Sequence, residues 1–143
     1  METKDQMIDG GLKKIEAKLA ELEQNKPGNY TFRTNCRYPQ QSNIKTLKLE
    51  LLVMLYTDLK MIERGYADTL AELKKEGVDT TEFEGTVGDF TIDDWKSDIL
   101  FLIKKCEWNK KVDDLKTKKA QLEELYSQEK KDNLRLEELL KGL

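Results

Sequence analysis

Ile8, Leu12, Ile15, Leu19 and Leu22 follow one another at intervals of 4, 3, 4 and 3 residues, the spacing that keeps apolar side chains on a single stripe of an α-helix. The pattern returns twice at greater length. Ile44, Leu47, Leu51, Leu55, Leu59, Ile62, Tyr66, Leu70 and Leu73 form a second seam, and Ile92, Trp95, Ile99, Leu102, Ile103, Cys106, Val112, Leu115, Leu122 and Leu125 a third. A chain of 143 residues that is 38% hydrophobic and 37% charged, with two prolines, can satisfy three such stripes only as long helices with wet outer faces. The predicted fold is mostly α, a long antiparallel helical hairpin or coiled-coil bundle in one domain, with a short β element between helices 1 and 2. Thin helices of this kind bury little on their own, so a homo-oligomer, a dimer or higher, is expected.

The punctuation divides the chain. Pro27 and Gly28 end a helix predicted over 5–24, Gly77 ends one predicted over 43–76, and Ser42 or Asn43 is the candidate cap of the latter. Residues 77–90 hold three glycines and are read as a loop. Thr91, Asp93 and Asp94 suit the start of a helix over 91–126, where acids meet the positive end of the helix dipole. Ser127 is a plausible cap that restarts a terminal helix over 127–143.

Residues 29–38 differ from everything else. From Gln24 to Leu49 there is no acid, and inside that window Tyr30, Phe32, Thr34, Cys36 and Tyr38 alternate with Thr31, Arg33, Asn35 and Arg37. Alternation of this kind predicts a strand with one apolar and one cationic, hydrogen-bonding face. Such a strand needs a partner for its backbone, either in residues 81–90 or in a second subunit. Between Glu76 and Asp98 eight acids face one lysine, so Glu82, Glu84 or Asp89 are candidates to pair with the arginines. The alternative is that Arg33, Asn35 and Arg37 hold an anionic ligand, since guanidinium groups two residues apart on a strand can bracket a phosphate. Tyr38, Trp95 and Lys96 are the further candidates for that site, with Trp95 also read as a core anchor.

Catalysis finds no support in the residue pattern. There is no histidine, no nucleophile-elbow motif and no glycine-rich phosphate loop. Asp93, Asp94 and Asp98 crowd one helical stretch and lack the ligand spread of a six-coordinate cation. Cys36 and Cys106 have neither zinc nor disulfide-framework spacing. No metal or cofactor is therefore expected, and no enzyme. A net charge of −3 argues against a general nucleic-acid binder. The seven lysines between 104 and 119 read as a solvated helix face. With no apolar leader and no run of about 18 apolar residues to span a membrane, the expected location is the cytoplasm.

The order of helix, Tyr30-Thr-Phe-Arg-Thr-Asn-Cys-Arg-Tyr38, long helix, then Phe90-Thr-Ile-Asp-Asp-Trp-Lys-Ser-Asp-Ile99 and a lysine-rich helix resembles small uncharacterised proteins of bacteriophages and mobile elements. Arg33-Thr34-Asn35 matches a Lys-Thr-Asn in those proteins, Asp94-Trp95 with Asp98-Ile99 matches their Asp-Trp and Asp-Ile, and Ser127-Gln128 stands where they have Ser-Pro. The resemblance implies a non-enzymatic binder in the host cytoplasm, sequestering an anionic small molecule such as a host signalling nucleotide or inhibiting a host protein. The rival expectation is a structural coiled-coil oligomer, a virion or scaffold component, in which the arginines only tie subunits together.

Overall fold

The computed structural model describes residues 2–39, 42–81 and 85–143. It is mostly helical, with four α-helices and two minimal β-hairpins among the described residues: α1 Lys4–Gln24, β1 Arg37–Tyr38, β2 Ser42–Asn43, a 3-10 turn Ile44–Thr46, α2 Leu49–Lys75, β3 Thr86–Val87, β4 Phe90–Thr91, α3 Ile92–Glu124 and α4 Gln128–Leu140. None of the described helices is long and apolar enough to cross a membrane.

Two compact units emerge. The first comprises Met1–Lys26 and Trp108–Leu143, the second Pro27–Glu107, and α3 contributes its C-terminal half to one and its N-terminal half to the other.

In the first unit, Thr3 caps α1 through a reciprocal pair with Gln6, its hydroxyl accepting from the Gln6 amide while the Gln6 side chain accepts from the Thr3 amide. Partners then match in opposite chain order. The Asp5 carboxylate accepts from the Ser127 amide at 2.9 Å and from its hydroxyl at 2.5 Å, the Tyr126 hydroxyl donates to Asp9, and the Trp108 indole donates to the Leu22 carbonyl at 2.7 Å. At Gly11, Leu122 comes within 3.1 Å of the place a Cβ would occupy, so the absent side chain permits the approach. Ile8, Ile15 and Tyr126 are buried here. The break at Ser127 is present: its hydroxyl accepts from the Lys130 amide and caps α4.

The second unit has the larger core, built from Cys36, Ile44, Leu52, Leu59, Ile92, Trp95, Ile99 and Leu102. Three sequence expectations change here. Helix 2 does not begin at residue 43. Asn43 instead caps the 3-10 turn by accepting from the Lys45 amide, and α2 starts six residues later. Its inward leucine is Leu52, fully buried, whereas Leu51 is half exposed; one residue is 100° of helix rotation, and the packing selects the neighbour. Among the described residues the predicted strand over 29–38 shrinks to Arg37–Tyr38, which pairs antiparallel with Ser42–Asn43, while Thr86–Val87 pairs with Phe90–Thr91. The physical reason is Cys36, whose φ of 60° lies in the left-handed region and turns the chain. Residues 77–90, read as a loop, contain the β3–β4 hairpin, closed by Gly88-Asp89 with Gly88 at φ 64°, the positive φ that a two-residue hairpin turn needs.

Candidate functional site

The alternation of residues 30–38 survives as a burial pattern although the strand does not. Thr34 and Cys36 are buried and Tyr30, Phe32 and Tyr38 half-buried, while Thr31, Arg33, Asn35 and Arg37 are all exposed. What replaces a neighbouring strand is one side chain of α3. Asp98 is 0% exposed, and its carboxylate receives four hydrogen bonds: from the Tyr30 hydroxyl (2.7 Å) and the Arg33 amide (2.8 Å) on Oδ1, and from the Thr34 amide (2.9 Å) and Thr34 hydroxyl (2.6 Å) on Oδ2. A buried carboxylate is stable only when its lone pairs are filled in this way. Burial, followed by the bond to Asp98, pushes the Tyr30 phenol up to about 12, which keeps it a donor.

The remaining loop groups bond locally. The Thr34 hydroxyl also accepts from the Cys36 amide at 3.1 Å, and the Asn35 side-chain oxygen accepts from the Arg37 amide at 3.0 Å, an Asx turn. The Tyr30 ring stacks on Phe101 with centroids 4.5 Å apart, and Phe32 meets both rings edge-on. Lys45 holds its ammonium 4.5 Å above the Phe32 ring. The loop is thus pinned by a carboxylate and an aromatic cluster, while Arg33, Asn35 and Arg37 are exposed and Lys45 lies over the Phe32 ring.

Of the six residues expected in the ligand site, Arg33, Asn35 and Arg37 are all exposed. Among the described residues neither arginine forms an ion pair. Glu82 and Glu84, the acids proposed to meet them, lie outside the described residues, and no ion pair joins Asp89 to either arginine. The other three are engaged within the fold. Trp95 is 1% exposed and is a core anchor: its indole donates to the Val87 carbonyl at 2.8 Å, and Tyr38 and Phe90 pack edge-on against it. Tyr38 is accordingly committed to the Trp95 ring. Lys96 binds Glu63 at 2.7 Å and ties α3 to α2, and that bond is the main reason its pKa is raised.

Sequence reasoning missed Asp98, Thr34 and Lys45 as members of the site. Asp98 sits one turn beyond Asp94 and reads as another helix-surface acid; its signal was a charged residue on the Trp95 and Ile99 face. Both of its oxygens are filled by donors, which leaves no lone-pair direction open for a cation in concert with Asp93 and Asp94. A separate cleft of about 320 Å³ between α2 and the start of α3, bordered by Tyr66, Leu70, Gly85 and Ile92, carries Glu63 and Asp93 on its rim, and Glu63 is already paired with Lys96. Comparison with protein-family models, curated proteins and solved structures finds no match.

Proposed function

We propose that this protein acts by binding and not by catalysis, and that residues 30–38 are its recognition element for a phosphate-bearing ligand, a nucleotide being the chemistry that fits best. The observation that carries the reading is the Asp98 lock. Four hydrogen bonds to a single buried carboxylate, two of them from the backbone amides of Arg33 and Thr34, hold the loop, and among the described residues the exposed Arg33 and Arg37 form no ion pair. Such preorganisation lowers the entropy lost on binding, and paired guanidinium groups favour planar, bidentate acceptors such as phosphate. Lys45, held over the Phe32 ring, adds a third cation near this stretch, which suits a phosphate-bearing ligand. The resemblance to bacteriophage proteins makes a host signalling nucleotide the first ligand to try, captured in the host cytoplasm. An acidic surface on a host protein is what the same charges would otherwise meet.

The experiment is a thermal-shift titration against cyclic and linear nucleotides, with wild type beside the double variant Arg33→Gln, Arg37→Gln. Stabilisation of wild type that the variant lacks, with the variant's own melting temperature unchanged within a few degrees, supports the reading. A ligand-free loss of stability in the variant, with no nucleotide stabilising wild type, transfers the arginines to a structural role.

A further inference from the structure

α2 carries a second stripe that its own unit does not cover. Leu51, Met54, Asp58, Met61 and Gly65 repeat the 3, 4 spacing of a helix–helix seam. Leu51, Met54 and Met61 are 48%, 61% and 67% exposed, although the opposite face of the same helix buries Leu52 and Leu59 completely. One edge of the stripe bears Glu50, Thr57 and Arg64, all exposed, and among the described residues neither Glu50 nor Arg64 forms an ion pair.

We infer that this stripe docks on the same stripe of a second copy, with the two α2 helices antiparallel. The charges choose both partner and direction. Glu50 and Arg64 lie 14 positions apart on one edge, about 21 Å along the helix. An antiparallel pairing centred near Tyr56 sets Leu51 against the partner's Met61 and Met54 against the partner's Asp58. It also brings Glu50 to within two positions, about 3 Å along the axis, of the partner's Arg64, and Thr57 to within two of its own copy, so two opposite-charge pairs close the edge. A parallel pairing would put Glu50 on Glu50 and Asp58 on Asp58. The antiparallel register that faces Asp58 with Asp58 is disfavoured by the same repulsion, so the one acid inside the seam fixes the alignment. The interface is isologous and closes as a dimer.

Charge reversal in two chains tests this directly. Wild type in light scattering at micromolar concentration is expected at twice 16.7 kDa. Glu50→Arg and Arg64→Glu, each made alone, should weaken the dimer by at least about tenfold, because each places two like-charged pairs at the edge. Mixing the two single variants should restore dimer as a heterodimer, and the double variant in one chain should regain it too. Both residues are exposed and, among the described residues, make no side-chain bond, and unchanged helicity by circular dichroism checks that each single variant is folded. The mixing result separates a docking edge from a general loss of stability. A monomeric wild type overturns the inference. So does a dimer that ignores both reversals and disappears with Leu139→Asp, since that would assign association to the exposed leucines of α4.

Discussion

Replacing Asp98 with asparagine keeps the size of the side chain and removes its ability to accept on both sides. Its remaining carbonyl oxygen can still serve the Tyr30 hydroxyl and the Arg33 amide, now as neutral bonds of about 0.5–1.5 kcal/mol each where charge-assisted ones contribute about 1.5–3. The new NH2 group faces the Thr34 amide, 2.9 Å away in the native structure, and two donors cannot bond. The Thr34 hydroxyl, which accepts one bond from the Cys36 amide, can take a second from the new NH2 group, but its own proton then loses the acceptor it has in Asp98. One buried N–H left without a partner costs about 1–3 kcal/mol. Relief of the cost of burying a charge offsets part of these losses, which leaves a net destabilisation of about 2–4 kcal/mol, a large share of the 5–15 kcal/mol typical of a domain. Urea unfolding followed by tryptophan fluorescence would measure it, and amide hydrogen exchange at Arg33 and Thr34 would locate it. Asp98→Asn within about 0.5 kcal/mol of wild type, a surface-like effect, with the Thr34 amide still protected, would refute the claim that this carboxylate holds the loop.

Phe32→Ala should cost roughly 2 kcal/mol, about half the penalty for a fully buried ring, while Thr31→Asp on the opposite side should be close to silent; equal losses in chemical denaturation would mean the alternation faces no core. Hydrogen bonds from the Ser127 hydroxyl and then the Ser127 amide hold the Asp5 carboxyl below its usual 3.8. A depressed carboxyl stabilises the fold fully above that value and loses the effect as pH falls through its lower folded value, so Ser127→Ala should flatten the acid side of the melting profile and also remove a cap of about 1 kcal/mol. The Tyr30 phenol, raised to about 12 from its ordinary 10.0, has the opposite sign: its contribution is intact below 10.0, declines as pH climbs toward 12, and should vanish from the alkaline melting profile of Tyr30→Phe.

The helices were legible because their signals are local. The 4, 3 spacing of Ile8 to Leu22 and the capping hydroxyl of Ser127 each act within a few residues, and α1 and α4 lie where those signals put them. Adjacent leucines defeat the same logic, since Leu51 and Leu52 serve a seam equally well until packing chooses between them. The loop was half legible. Alternation foretold which side chains turn inward, but the backbone donors are met by a carboxylate more than sixty positions away, and nothing local in Tyr30 to Tyr38 announces that partner. The left-handed Cys36 is equally silent, because cysteine has no particular preference for that conformation. Gly88-Asp89 between Val87 and Phe90 was readable as a hairpin turn and was masked by the many acids around it. Trp95 and Lys96 drew attention as recognition chemistry, yet the same properties, a large ring and a long cationic arm, also make good internal anchors.

The central claim is that a locked loop presents Arg33, Asn35 and Arg37 to a phosphate-bearing ligand. Its most direct measurement is a titration of the 15N-labelled protein with a cyclic dinucleotide and with a linear nucleoside triphosphate, followed through the amide and arginine side-chain resonances. The account predicts saturable shifts confined to Arg33, Asn35, Arg37 and Lys45, with the Thr34 amide keeping its exchange protection because the loop does not reorganise. Saturable shifts that fall elsewhere, or no shift with either nucleotide, would contradict it.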